Sequence, residues 1–537
     1  MNAFFKGFQF YHYYLTTILI CFYGVSACSA QSPAIVWSKT YGSTLGASGF
    51  DIQPTPDGNF IVLAATAGSD LDIMCNNHGG NDIWVYKIDH QGNIIWQQCY
   101  GGSGEESNSN VSRILNTNDG YIFICKTFSF DGDVTGNHGD DVWIVRINAA
   151  GNIIWQRCYG GGGSEFPMGI ASTNDGGFIF TALSNTVGPD GDIPFHYGTF
   201  LTYDAWVVKI NADGNIIWNT VFGGSDTDLL CSVAETSNGD FVLFGYTSST
   251  DGDLIGLDID ETDGWILKID SGGNILWSRN YGANDSEGFT GGIVTSTNEL
   301  LAYGDASDIP VDIGFHHGQG DKWVVKTNDQ GEILWQGLYG GSNPEGLTYD
   351  IIKESTFNDG YYIGSVSKSS DWDVGNHHGS PNEWDYWIFK LDHTGQIIWS
   401  VALGGSKGDN LYGLSISNAI YLIGRTESSD GDVVNLTDTT SVWILNLSDY
   451  NNIENFSLSP HIYIYPNPLH DRATLEFSKI IGNVLLKISS VDGKFVQQFE
   501  INSRRTILKI DAPPGIYIYT IQDRNNIVIN SGDLIIY

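Results

Sequence analysis

The chain is poor in positive charge. Against 62 Asp+Glu stand 25 Lys+Arg, a net charge of −37 over 537 residues. Binding nucleic acid by counterion release needs clustered cations, so that class of partner is excluded. Charged residues amount to 16% and hydrophobic ones to 41%, which excludes a disordered polyampholyte. Cysteine is sparse as well. Cys21 and Cys28 fall in the first thirty residues, leaving Cys75, Cys99, Cys125, Cys158 and Cys231. An odd remainder argues against a complete disulfide framework. Cys99 and Cys158 stand at matching repeat positions and read as small apolar residues on buried strands. After residue 30 no apolar run is long enough to cross a bilayer. What is plentiful is Gly (66), Tyr (27) and Trp (16), a mixture suited to strands joined by tight turns.

Lys6 is the one charged residue before Gln31, and Tyr13 to Val25 is an apolar run of signal-peptide length. Residues 1–30 therefore read as a secretory signal cleaved after Cys28-Ser29-Ala30. Val25-Ser26-Ala27-Cys28 also resembles a lipobox, a reading that leaves Cys28 lipidated.

Two motifs then recur. Trp, three residues, an aromatic and Gly begins at Trp37, Trp96, Trp155, Trp218, Trp277 and Trp335, with a weaker copy at Trp399. The intervals are 59, 59, 63, 59, 58 and 64 residues. Asp-x-Trp ends at Trp84, Trp143, Trp206, Trp265, Trp323 and Trp387, and Trp443 completes the set with Ser441 in place of Asp. Each repeat reads as four strands, the one from 109 to 117 being the first of its unit, and four antiparallel strands repeated about an axis make a β-propeller. The last unit supplies three strands, ending at Leu447, and residues 34–42 supply a lone fourth. Pairing them closes a seventh blade and removes an edge. The expected fold is all-β: a seven-bladed β-propeller over 31–447, a linker over 448–456 and a small immunoglobulin-like β-sandwich over 457–537.

The tail differs in charge, with 8 Lys+Arg against 7 Asp+Glu from Ser457 onward. It carries Ile464-Tyr-Pro466-Asn467-Pro468, then Asp471-Arg-Ala-Thr-Leu-Glu-Phe, Val491-Asp-Gly493-Lys, and Pro513-Pro-Gly515-Ile-Tyr517-Ile-Tyr-Thr-Ile. These motifs, in this order, resemble the type A C-terminal sorting domain of the Bacteroidetes type IX secretion system. Asp533 departs from the Lys usual in that family. The resemblance implies export across the outer membrane, partnership with the secretion and sorting machinery, and display on the cell surface or release. The repeats are similar to propeller repeats of secreted bacterial proteins, which share no single activity.

Three polar features collect on the propeller face that carries the two-to-three loops and the crossovers between blades. An acid stands six residues after the motif aromatic: Glu106, Glu165, Asp228, Glu287, Glu345 and Asp409, with Ala47 as the exception. The loops carry Asp-x-Asp at Asp70/Asp72, Asp131/Asp133, Asp190/Asp192, Asp251/Asp253, Asp371/Asp373 and Asp430/Asp432. A histidine stands beside five of the loop ends: His78, His138, His196, His317 and His378. Acids beside Gly-rich turns often bind backbone N–H groups. Closely spaced aspartates also suit calcium, the one cofactor the sequence suggests, although the bidentate acid of an EF-hand is missing. There is no nucleophile motif or phosphate loop. The leading expectation is a non-enzymatic module that binds a surface glycan or protein. The alternative is a polysaccharide hydrolase or lyase.

Overall fold

The computed structural model describes residues 32–448 apart from 107–110, 260, 283–285, 308–316, 319, 347–350, 356–358 and 435–439. In the tail it describes 462–465, 472–477, 484–490, 494–501, 505–522 and 528–536. The N-terminal segment, most of the linker, Pro466, Asn467, Pro468 and Gly493 lie outside the described residues.

Every repeat folds as an antiparallel sheet. The first contains Ala47–Pro54, Phe60–Thr66, Asp82–Ile88 and Ile94–Tyr100, paired in that order. The order recurs in sheets beginning at Arg113, Glu165, Asp228, Glu287 and Glu345. In the second sheet the described part of the innermost strand is Arg113–Asn116, with a separate bridge from Glu106 to Thr127. The seventh sheet contains Asp409–Ile416, Ile420–Thr426, Ser441–Ser448 and, from the other end of the chain, Ala34–Tyr41. Ala34 pairs with Ser448 and Tyr41 with Val442, so the ends are stitched along the whole strand.

Closure is also visible in the packing. Seven apolar clusters each draw on two neighbouring sheets, and the cluster of Tyr41, Ile423, Val442, Val62 and Trp84 joins the seventh sheet to the first. The seven sheets thus form a closed, propeller-like ring. A sheet with two apolar faces cannot hide both alone, and each neighbour covers one.

The Trp motifs are the fasteners of that ring. All seven Asp-x-Trp indoles are fully buried. At about 25 cal/mol per Å² and 150–250 Å² apiece, each contributes roughly 4–6 kcal/mol of burial. Six of the seven N–H groups are satisfied by the residue after the outer-strand tryptophan, and that of Trp323 is buried without a partner among the described residues. Trp84 donates to Gln97 (3.0 Å), Trp143 to Gln156 (2.8 Å), Trp387 to Ser400 (2.8 Å) and Trp443 to Ser38 (2.9 Å). This is why Gln, Asn or Ser follows that tryptophan. The motif tyrosines clip the next sheet: Tyr41, Tyr159 and Tyr281 donate to the carbonyls of Gly92, Gly214 and Gly331 at 2.6–2.7 Å.

One cysteine reading is corrected. Cys99 is joined to Cys75 in a disulfide, whereas Cys158 at the matching position is free, as are Cys125 and Cys231. Cys75 comes from the two-to-three loop, where the second sheet has Gly136, so no repeat pattern announces it. The bond ties that loop to the outer strand of the first sheet.

The tail forms two sheets, of three and four strands, sharing a core of Leu475, Leu508, Leu486, Ile488 and Ile521. Gly515 opens the strand Gly515–Gln522. Tyr517 is buried there and donates to Pro513 O at 2.6 Å.

Candidate functional site on the crossover face

Both aspartates of each Asp-x-Asp loop grip the turn that delivers the chain from the preceding sheet. The first aspartate accepts the backbone N–H two residues beyond the motif glycine. Ser103 donates to Asp131 (2.7 Å), Gly162 to Asp190 (3.1 Å), Ser225 to Asp251 (2.6 Å) and Ser406 to Asp430 (2.7 Å). Thr44 and Ser342 do the same for Asp70 and Asp371. The second accepts from the motif glycine itself: Gly101 to Asp133, Gly160 to Asp192, Gly223 to Asp253 and Gly404 to Asp432, at 3.2–3.3 Å. Gly42 and Gly340 donate likewise to Asp72 and Asp373. Backbone and hydroxyl donation by Ser103 and Ser406 holds Asp131 and Asp430 below the usual carboxylate range. Among the described residues no group of three or more His, Cys, Asp or Glu side chains is arranged to hold a metal ion.

The middle residue of each loop needs left-handed backbone. Gly132, Gly191, Gly252 and Gly431 supply it at φ +56° to +68°. Leu71 and Trp372 occupy the same position at φ +55° and +53°, which an L side chain adopts at a cost of about 1–2 kcal/mol. Trp372 is 64% exposed, and its ring packs on His317 with centroids 5.3 Å apart.

Behind the loops lie the six crossover acids, all buried. Glu106 accepts from Gly102 N–H (3.1 Å) and Thr127 Oγ1 (2.8 Å). Glu165 accepts from Gly161 N–H and from the hydroxyls of Ser184 and Thr186. Asp228 accepts from Gly224 N–H, Thr247 and Ser249, and Asp409 from Gly405 N–H and Ser428. Glu345 accepts from Ser367 (2.8 Å). Glu287 follows the pattern in its backbone link, its N–H donating to Thr262 O. Burial pushes Asp228 and Asp409 up to about 6 and Glu345 to about 8.

The histidines belong to the same assembly, a connection the sequence does not announce. The His78 and His317 N–H groups donate to Oδ2 of Asp82 and Asp321, with the ring Nδ1 atoms 2.7 and 3.1 Å from the same oxygens. His138 and His378 meet Asp141 and Asp385 in the same way, while at Asp204 the backbone donor is Tyr197. The aspartates of Asp-x-Trp are therefore partners of the loop that precedes them.

Aromatic exposure in the ring is one-sided: Phe130, Phe195, Tyr197, Phe200 and Trp372 are all on the crossover face. In the ring, the exposed large apolar side chains are on the outer strands (Ile95, Ile154, Ile217) or on the crossover face. The latter include Met74, Phe130, Phe200, Leu201, Ile255 and Trp372. Among the described residues none is in the hairpin turns of the opposite face.

Fold and tail together define an exported, all-β, propeller-like protein. Residues 463–536 match the family described as the secretion system C-terminal sorting domain, which marks proteins sent to the cell surface or the extracellular space. No helix of the described residues is long and apolar enough to cross a membrane. A regulatory protein, FlaEY, from Caulobacter vibrioides is 22% identical over 297 residues, covering 52% of this chain and 30% of its own length. The chain thus spans less than a third of that relative. Solved structures with similarity include PorZ, a surface component of the type IX secretion system of Porphyromonas gingivalis. It has a TM-score of 0.35 at 12% identity, over 91% of this chain and 59% of PorZ. Another is a DUF4221 protein from Bacteroides vulgatus, with a TM-score of 0.32 at 11% identity over 63% and 91%.

Proposed function

We propose that the protein is a binding module displayed on the cell surface or released from it. Its crossover face engages a glycan or a protein of the surface or matrix. The one-sided exposure of aromatic side chains carries this reading. Exposed aromatics gathered on one face mark interaction surfaces, and Trp372 pays backbone strain to stay there. A polysaccharide-cleaving role draws no support from the acids. Those with raised proton affinity are buried beneath the turns and repeat around the ring, so no substrate reaches them as an asymmetric pair.

The test uses the full chain on a panel of surface polysaccharides and matrix proteins. Trp372→Gly and Leu201→Ser should weaken binding by about thirtyfold, the effect of losing about 2 kcal/mol at an anchor. Gln91→Ala, on the hairpin face, should leave it unchanged. Trp372→Gly should also raise the unfolding midpoint, because it removes the left-handed Trp. Face variants that bind as well as the parent would refute the assignment.

A further inference from the structure

At five crossovers of the ring two buried carboxyl groups end on the same spot. Oδ1 of Asp82 and Oε2 of Glu106 both lie within 3.0 Å of where a Cβ on Gly101 would sit. So do Asp141 and Glu165 at Gly160, Asp263 and Glu287 at Gly282, Asp321 and Glu345 at Gly340, and Asp385 and Asp409 at Gly404. Asp204 and Asp228 make the sixth pair, joined by the same backbone link, Asp228 N–H to Tyr203 O at 2.7 Å. The motif glycine is required because a side chain there would occupy the meeting point.

The two members have different surroundings. Glu106, Glu165, Asp228 and Asp409 receive backbone and hydroxyl donors, as an ionised carboxylate does. The Asp-x-Trp aspartate has Oδ2 engaged by the loop backbone, while Oδ1 of Asp82, Asp141, Asp204 and Asp385 accepts no hydrogen bond from the described residues. A bare buried carboxylate oxygen facing a second carboxylate is doubly unfavourable. A proton on it removes both penalties.

The closing crossover supplies an independent observation. Its counterparts of the two acids are Ser441 and Ala47, linked by the same backbone bond, Ala47 N–H to Thr440 O at 3.2 Å. Both carboxyls are replaced at one spatial site, although the residues stand at opposite ends of the ring sequence. Ser43 takes the place of the second glycine there and sets its hydroxyl 3.4 Å from Thr66, the counterpart of Thr127. Joint replacement is what a functional pair requires, since a lone survivor would be a buried unpaired charge.

We infer that each of the six crossovers holds one proton shared by its two carboxyl groups; at Asp82, Asp141, Asp204 and Asp385 it is carried on Oδ1 and donated to the crossover acid. The groups facing each pair add little neutralising charge. His78, Asp133 and the Cys125 thiol face Asp82 and Glu106. His138, Cys158 and Lys126 face Asp141 and Glu165, and Lys126 is drawn to Asp140 at 3.5 Å. His196, Asp226 and Asp253 face Asp204 and Asp228. His317 and Asp373 stand by Asp321 and Glu345. His378, Asp430 and Tyr386 stand by Asp385 and Asp409. Asn280 donates to Asp263 at 2.6 Å. Burial raises Asp141 and Asp204 to about 6 and Asp385 to about 7, so these three pairs titrate as units above the ordinary acid range.

The test is infrared difference spectroscopy of the full chain in heavy water near pH 6. Exposed acids are ionised there, so a protonated-carboxyl stretch should remain, equivalent to roughly three to six groups per chain because pairs titrating near 6 are half protonated. Asp141→Asn should remove about one sixth of that band and keep the fold, because its amide donates where the carboxyl proton did. If that variant does not fold, the parent's own titration decides: the band should disappear between about pH 6 and 8 rather than near pH 4. A parent spectrum with no such band, or a band lost near pH 4, overturns the inference.

Discussion

Gly160→Ala tests the geometry of the crossovers directly. Gly160 lies outside the left-handed region, so its backbone accepts alanine. In an open site the exchange would stabilise the protein by about 0.4–1 kcal/mol, through a less flexible unfolded chain. Here the new Cβ would stand 2.5 Å from Asp141 Oδ1 and 2.5 Å from Glu165 Oε2. Carbon and oxygen sit comfortably at about 3.3 Å or more, so both carboxyls must retreat by about 0.8 Å. Glu165 is held by Gly161, Ser184 and Thr186, and Asp141 by the His138 backbone, so neither can move without losing a donor. Overpacking of this kind costs about 1–3 kcal/mol, which exceeds the entropic gain. The variant should lose about 1–2 kcal/mol, read as a lower urea midpoint of the ring transition by Trp fluorescence. Gly136→Ala is the comparison. Its site is open but left-handed at φ +81°, so it pays only a backbone cost, about 1–2 kcal/mol, with no effect on the carboxyls. The two are told apart by pH, since only Gly160→Ala should alter the pH dependence of stability. A Gly160→Ala protein more stable than the parent would sink the argument.

Stability should fall with rising pH across the neutral range. Asp141 goes from an ordinary 3.8 to about 6 in the folded chain, so its contribution is complete below about pH 4 and is lost as pH climbs through about 6. The rise corresponds to about 3 kcal/mol, and Asp141→Asn should flatten a urea-midpoint profile measured from pH 4 to 9. Cys75→Ser should lower the ring's stability by about 3 kcal/mol under oxidising conditions and have no such effect under reduction, since the disulfide closes 24 residues. If the Asp-x-Asp loops act as backbone clamps alone, calcium and EDTA should give the same melting curve. A calcium-dependent rise would make them ligand sites.

The ring was legible in the sequence because Trp37 and its six counterparts perform one task each time, as do the buried Asp-x-Trp indoles. Even the closing strand could be read, since a fourth strand at 34–42 lacked its first three. The partnership of Asp82 with Glu106 could not. Those residues are 24 apart, in different motifs and successive sheets, and only folding brings both over Gly101. The Asp-x-Asp loops read as oxygen-rich because their partners are backbone N–H groups, which leave no trace in side-chain patterns. The Cys75–Cys99 bond escaped because one half stands in a loop that varies between repeats. The sorting domain was readable from motifs alone, since machinery that reads a tail requires a recurring signature.

The closing sheet also fixes how the ring is tethered. Its third strand ends at Ser448, paired with Ala34, at the level where the third strands of the other six sheets turn into polar hairpins. Everything beyond Ser448 is therefore joined to the hairpin side of the disc. The chain thus leaves the ring on the side opposite Trp372, Phe200 and Leu201.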